Sequence, residues 1–268
     1  MNKTLNKIIK KTRRGKRSNM KTYMKSLVAV GVNPAGARSK WSTWMKVIRE
    51  TGASLWFMQE TKCPTKQLKM ENYVVYEKVR EKSKGGGVAI AAIKDLNPVL
   101  VSEGIGEVEA ITIEVHPKKI TIVCTSSYGP QKQADSEIKQ QFWTYHDQVA
   151  DNAWNEGKGF LLQGDLNARL GPNIIKNDPN PQNENGKLFM QFLSRHPQLT
   201  VLNSLPICKG LITRTRTLCT RKVERSVLDF FVVCSRVLSH ITQMIVDEEM
   251  KYAVTNFSQV AKGGKAVD

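Results

Sequence analysis

Apolar runs of strand length recur along this chain, and several of them end on a polar side chain. Residues 26–33, Ser-Leu-Val-Ala-Val-Gly-Val-Asn, read as a buried strand halted by Pro34, which lacks the N–H a ladder needs, so Asn33 falls at the strand's end. From Lys40 to Thr51 the apolar residues Trp41, Trp44, Met45, Val47 and Ile48 recur at helical spacing, with Ser39 or Ser42 as cap and Gly52 as stop. The tryptophans share that apolar face, which favours core packing over a base-stacking platform. Residues 53–58 form a second apolar run and close on Gln59-Glu60-Thr61. Gly85-Gly86-Gly87 then turns into a strand over 88–93, without the spacing or following helix of a phosphate-cradling loop. Residues 109–115 and 119–126 predict a hairpin around Pro117-Lys118, and its second arm runs into Ser127-Tyr128-Gly129-Pro130. A helix is predicted over 137–152, with Phe142, Trp143 and Val149 turned inward. Phe160 to Gln163 reads as a buried strand that turns at Gly164 and presents Asp165 and Asn167. Beyond a polar loop over 173–185 come a helix over 186–196, a short strand over 199–202, an alternating segment over 211–217 and an apolar strand over 226–233 that contains Asp229.

Strand-length and helix-length segments mixed along one chain predict an α/β architecture. Its polar exceptions carry the chemistry. Helices that cover a sheet leave the strand ends as the place where ligands are met, and Asn33, Glu60, Tyr128, Asp165, Asn167 and Asp229 each fall at the end of, or within, an apolar strand. On extended chain residues at i and i+2 point the same way, so Asp165 and Asn167 would look into one cleft. The carboxylate can hold a metal or orient water, and the amide can donate to a phosphate oxygen without repelling it. Taken singly, each has an ordinary explanation: Gly164-Asp165-Leu166-Asn167 as an Asx turn, Glu60 as a cap or a surface charge. A carboxylate within the apolar run at Asp229 is costly unless paired, and an imidazole or a metal-site hydrogen bond is the expected partner.

The 268 residues suffice for one large α/β domain or two small ones. With 41 Lys and Arg against 24 Asp and Glu, the formal charge of +17 points to a polyanionic partner. The first 26 residues hold ten Lys or Arg and no acid, so residues 1–25 read as a basic, disordered arm ahead of a folded domain over 26–268. Such an arm serves phosphate-backbone contact or nuclear import, and fits a solvated tail equally well. A second basic patch, from Thr213 to Arg225, includes Arg214, Arg216, Arg221 and Arg225 and reads as a grip on substrate backbone or a solvated hairpin tip. No apolar run reaches membrane-span length and nothing resembles a secretory signal, so a nuclear, membrane-free location is expected. Five cysteines without a Cys-x-x-Cys pair weigh against zinc and disulfides and for reduced, buried thiols.

As an ordered set, residues 33–40 (Asn-Pro-Ala-Gly-Ala-Arg-Ser-Lys), Gln59-Glu60-Thr61, Tyr128-Gly129-Pro130, Gly164-Asp165-Leu166-Asn167 and Ser226-Val227-Leu228-Asp229 resemble the endonuclease/exonuclease/phosphatase family. The resemblance is nearest to the endonuclease domains of non-LTR, LINE-type retrotransposons and runs through residues 26–250. It implies a DNase I-like fold, a two-layered β-sandwich with flanking helices. It also implies a Mg²⁺-dependent phosphodiesterase, with Mn²⁺ as a substitute, that nicks DNA and is fused to or encoded with a reverse transcriptase. By the same resemblance Glu60 binds the metal with Asn33 assisting, Asp165 positions or deprotonates water, Asn167 and Tyr128 hold the scissile phosphate, and Asp229 orients a histidine. Candidates for substrate contact are Arg38, Lys40, Thr213, Arg214, Arg216 and Ser226.

Two departures stand out. Ala35 occupies the position where related DNA-repair nucleases carry a second acid or amide, which removes a metal contact there. The family's closing Ser-Asp-His motif is missing, and none of His116, His146, His196 and His240 stands in such a context. The expectation is a domain truncated at its C-terminus that binds DNA and cleaves it poorly. Two alternatives stay open: a non-catalytic DNA-binding remnant, and a small-molecule phosphatase of the same superfamily, the latter disfavoured by the net charge.

Overall fold

Side-chain alternation along two mixed β-sheets decides what each layer of this molecule buries. The computed structural model describes residues 27–34, 36–37, 41–63, 68–80, 85–217 and 223–248, the side chains of 216 and 217 excepted. In chain order the strands are β1 (Ala29–Val32), β2 (Leu55–Gln59), β3 (Tyr73–Lys78), β4 (Val88–Ile93), β5 (Val99–Glu103), β6 (Glu109–Val115) and β7 (Ile122–Tyr128). There follow β8 (Gly159–Asp165), β9 (Leu199–Val201), β10 (Cys208–Lys209), β11 (Arg214–Thr217), β12 (Val223–Ser226), β13 (Asp229–Cys234) and β14 (Met244–Ile245). The α-helices are α1 (Trp41–Thr51), α2 (Ser136–Asn155), α3 (Glu184–Arg195) and α4 (Ser235–Leu238). One sheet is ordered β1-β2-β4-β3 and the other β5-β6-β7-β8-β13-β9, while β11 and β12 form a separate hairpin. The β1–β2 and β7–β8 pairs are parallel, and the remaining pairs in these two sheets are antiparallel.

Along β2, Leu55 and Phe57 join the core between the sheets, whereas Trp56 and Met58 join a second cluster with Ile48 of α1. On the far side α2 and α3 cover the six-stranded sheet, where Trp143 stacks on Phe189 at 5.3 Å and Phe189 meets Phe230 at 5.4 Å. Phe231, one residue on, points the other way and meets Phe57 across the sheets at 6.1 Å. Burying each such ring contributes about 1.5–3 kcal/mol, so the layering is set by many equivalent contributions. Inside α2, buried His146 donates from Nδ1 to the Phe142 carbonyl and accepts at Nε2 from Ser127, and burial pushes its imidazole down to about 4.

The expected two-layered sandwich with flanking helices is what the chain forms. Three local expectations are corrected. Gly164 does not turn the chain: β8 runs through it, and a Cβ there would lie 2.1 Å from the Ser127 carbonyl, so glycine serves close strand packing. The run over 226–233 is two elements, since Ser226 ends the hairpin and Asp229 opens β13. Strands β3 and β5, each at a sheet edge, were not expected at all. Cys63, Cys124 and Cys234 are buried free thiols as expected, Cys208 is a free thiol only partly buried, and Cys219 and the basic arm lie outside the described residues. No helix among the described residues is long and apolar enough to cross a membrane.

Candidate active site

The register of four neighbouring strands lines up one row of side chains at the rim of the sandwich. Glu109 of β6 is paired with Tyr128 of β7, Tyr128 with Asp165 of β8, and Asp165 with Asp229 of β13. Paired residues share a face, and Phe231, two positions beyond Asp229, packs against Phe57 of the other sheet, so the row looks across the sheets toward Glu60. The Tyr128 hydroxyl donates to Glu60 Oε1 at 2.9 Å, and the Asn33 side chain also hydrogen-bonds Glu60. Asn33, Glu60, Tyr128, Asp165 and Asp229 are thus brought together.

The Leu166 N–H donates to the Leu228 carbonyl at 2.9 Å, the ladder bond that flanks a non-hydrogen-bonded pair. Asp165 and Asp229 occupy that pair, where Cβ atoms approach to about 4.5–5.5 Å and like charges destabilise the sheet. Burial raises Asp165 well above the usual carboxylate range, and the opposed Asp229 charge adds to it. Asp229 is pushed up to about 6 by burial, against a hydrogen bond from Thr213 and the Arg214 charge. Glu60 goes the other way: burial opposes its ionisation, yet hydrogen bonds from Tyr128 and Asn33 and the Lys62 ammonium, 3.4 Å away, hold its carboxyl low. The Tyr128 phenol is pushed up to about 12 by burial and the Glu60 charge, so it remains a donor.

Glu60 and Lys62 both adopt left-handed backbone, with φ of 50° and 51°, which costs a non-glycine residue about 1–3 kcal/mol. Four backbone hydrogen bonds hold that shape. Gly36 and Ala37 donate to the carbonyls of Glu60 and Thr61, while Thr61 and Lys62 donate to the carbonyls of Gly87 and Gly86. Glu109 anchors the glycine turn by accepting from the Gly87 N–H and from Arg80, whose guanidinium lies 5.9 Å from the Tyr128 ring centre. Sequence reasoning missed Lys62, Arg80 and Glu109; two basic residues and an acid at the start of an alternating strand carry no mark of their own.

Asn167 is not on extended chain. Its φ is 47°, its N–H donates to Asp165 Oδ1 at 3.1 Å, and its Nδ2 donates to the Gly129 carbonyl at 2.8 Å. Asn183 and Asn185 donate to its carbonyl at 3.0 and 3.3 Å, so the start of α3 fixes its place. Thr213, expected to touch substrate, braces the site instead: its hydroxyl oxygen accepts from the N–H groups of Leu228 and Asp229. Ser226, another such candidate, is 3% exposed and closed off from solvent. Arg214 is exposed and close enough to bias both Asp165 and Asp229. Arg38, Lys40 and the Arg216 side chain lie outside the described residues. Among the described residues no histidine pairs with Asp229: His146 bonds Ser127, His196 bonds Asp147, and His116 lies by Glu114.

No group of three His, Cys, Asp or Glu among the described residues is arranged to enclose a metal unaided. A hard cation still suits the donor set. The groups that converge are carboxylate and amide oxygens, the opposed carboxylates are short of positive charge, and Mg²⁺ typically takes one or two carboxylates while keeping water and substrate oxygens.

Comparison with solved structures agrees with this architecture. The chain covers 88% of the endonuclease domain of TRAS1, a telomere-specific non-LTR retrotransposon, using 80% of its own length at 13% identity and a TM-score of 0.59. A 3'-5' exonuclease from Neisseria meningitidis gives 14% identity and a TM-score of 0.64 over 85% of this chain and 94% of that one. The chain has a DNase I-like fold. A mannosyl-6-phosphatase from Bacteroides thetaiotaomicron is also similar, at 14% identity and a TM-score of 0.55 over 78% of this chain and 86% of that one. At such identities the DNase I-like fold is what is shared, and function must be argued from the site. No family model and no curated protein sequence matches the chain.

Proposed function

We propose that the chain is a divalent-metal-dependent phosphodiesterase that nicks DNA in the manner of a retrotransposon endonuclease. The observation that carries the reading is the convergence of Asn33, Glu60, Tyr128, Asp165 and Asp229 on one rim, with a left-handed backbone held in place at Glu60. Glu60 and Asn33 would hold Mg²⁺ or Mn²⁺, which when bound neutralises charge on the phosphate and orients water. Asp165 would take a proton from the attacking water as its oxygen bonds phosphorus and the P–O3′ bond breaks, the leaving alkoxide taking its proton from solvent; burial raises the proton affinity of Asp165, the direction a base requires. Once a metal occupies the Glu60 carboxylate, the Tyr128 hydroxyl, which donates to Glu60 in the free site, would turn its one hydrogen bond to a phosphate oxygen. Asn167 offers it the amide proton that is not spent on Gly129. Arg214 supplies positive charge beside the leaving group's path.

The net charge of +17 supports DNA over a small anion as substrate. A linked reverse transcriptase and a nuclear location belong to the same proposal and rest on the retrotransposon resemblance and the basic arm. Among the described residues no imidazole pairs with Asp229, so turnover is expected to be low for a nuclease of this kind. The test is nicking of supercoiled plasmid with Mg²⁺. Single-strand nicks should disappear with chelator and become much slower in Glu60→Gln and in Asp165→Asn; undiminished nicking by Asp165→Asn would contradict the reading. Salt separates DNA from a small phosphate ester: six to ten phosphate contacts predict a loss of roughly 10³ to 10⁵ in affinity between 50 and 200 mM.

A further inference from the structure

One row deeper along the same strands, acids give way to amides. Gln59 precedes Glu60, Ser126 stands two residues before Tyr128, and Gln163 stands two residues before Asp165, so Ser126 and Gln163 share the inward face of their strands with the site residues. Gln59 Nε2 donates to Gln163 Oε1 at 2.8 Å and to Ser126 Oγ at 3.0 Å, and the Ser126 hydroxyl donates to the Met58 carbonyl at 3.3 Å. All three are closed to solvent, at 0% exposure for Gln59 and Ser126 and 2% for Gln163. Gly31 of β1 makes the room, since a Cβ there would lie 2.2 Å from Gln163 Nε2.

The bridge is not the cheapest way to join two sheets. Gln59 Oε1 is buried without a partner among the described residues, a cost of about 1–3 kcal/mol that an apolar side chain would avoid. Phe57 and Phe231 pack nearby and show that apolar contact suffices for cohesion. What hydrogen bonds add is direction. Apolar faces slide past one another at little cost, whereas a forked amide fixes one register of β2 against β7 and β8. β2 belongs to one sheet and β7 and β8 to the other, with no ladder between the two sheets.

We infer that the Gln59–Ser126–Gln163 bridge is a positioning device that fixes Glu60 relative to Tyr128 and Asp165 across the sandwich. Its consequence for catalysis rests on the proposed function; its consequence for geometry does not. The test uses the whole chain with Gln163→Met, close in volume but without the amide, and Ser126→Ala as a milder change that carries the comparison should the first fail to fold. Leu161→Ala, one row deeper on β8, controls for lost stability alone. Crystal structures of parent and variants are expected to show Glu60 displaced from Asp165 on the order of 1 Å in the bridge variants, with kcat for plasmid nicking down roughly 100-fold at little changed KM. Leu161→Ala is expected to lower Tm and leave kcat alone. An unchanged Glu60 to Asp165 separation overturns the inference whatever the activity, and so does a displacement without loss of kcat in an active parent. Displacement in a protein whose parent nicks no DNA leaves the bridge standing and removes the nuclease reading.

Discussion

At one end of β6, β7, β8 and β13 like charges face each other, while at the other end of the same strands charge is paired. The far end joins Glu114 to Lys158, with Glu156 2.6 Å from the same ammonium and His116 3.5 Å from Glu114. Hydrogen bonds that Lys158 donates to Glu114 and Glu156 raise its proton affinity, so charge there is stabilised by its surroundings. At the rim, Asp165 and Asp229 oppose each other with both carboxyls raised, burial being the first cause. Acids are neutralised at the rim as well, Glu60 by Lys62 and Glu109 by Arg80, so it is the Asp165–Asp229 pair alone that sets the two ends apart. Under the proposed function, that opposed pair marks the end where a bound cation would supply the missing positive charge.

The largest effect that would sharpen this contrast is kinetic. Asp165→Asn is expected to lower the nicking rate by about 10² to 10⁴, whereas Glu114→Gln at the far end should leave it unchanged. Next is Gly164→Ala, whose Cβ would meet the Ser127 carbonyl at 2.1 Å and force β7 from β8. A loss of about 3 kcal/mol in urea unfolding is expected, with the rim row disrupted in consequence.

Asp229→Asn should have the opposite sign. The folded carboxyl sits at about 6 against an ordinary 3.8, so the folded state binds the proton more tightly and is penalised progressively as pH rises through that window, fully above it. The variant is expected to gain on the order of 1–3 kcal/mol over the parent at pH 7, shrinking to nothing near pH 4. His146, lowered to about 4, weakens both proteins as pH falls from 6.5 toward 4 and cancels in the difference. A loss of stability in Asp229→Asn at pH 7, measured by urea unfolding, would break the contrast. The smallest effect is Glu114→Gln, a loss of up to about 1 kcal/mol, typical of a partly exposed ion pair.

Much of the rim is legible in the amino-acid sequence. Glu60, Asp165 and Asp229 each interrupt an apolar run, and burial of such runs forces their polar ends to one edge. Asn167 was legible as a residue but not in its geometry, because a φ of 47° breaks the two-residue alternation on which its placement was argued. Glu109 opens an ordinary alternating strand, and only the pairing with Tyr128 places it in the row. The amide bridge depends on how two sheets face each other, which no single strand encodes. Strands β3 and β5 escaped notice because edge strands are half-wet and their pattern is mixed.

Calorimetric titration of the metal-free chain with Mn²⁺ at pH 7, parent beside Glu60→Gln, addresses the rim most directly. One bound ion in the parent, accompanied by a rise in Tm and lost in Glu60→Gln, is the predicted result. Equal binding and equal stabilisation of the two proteins would contradict it.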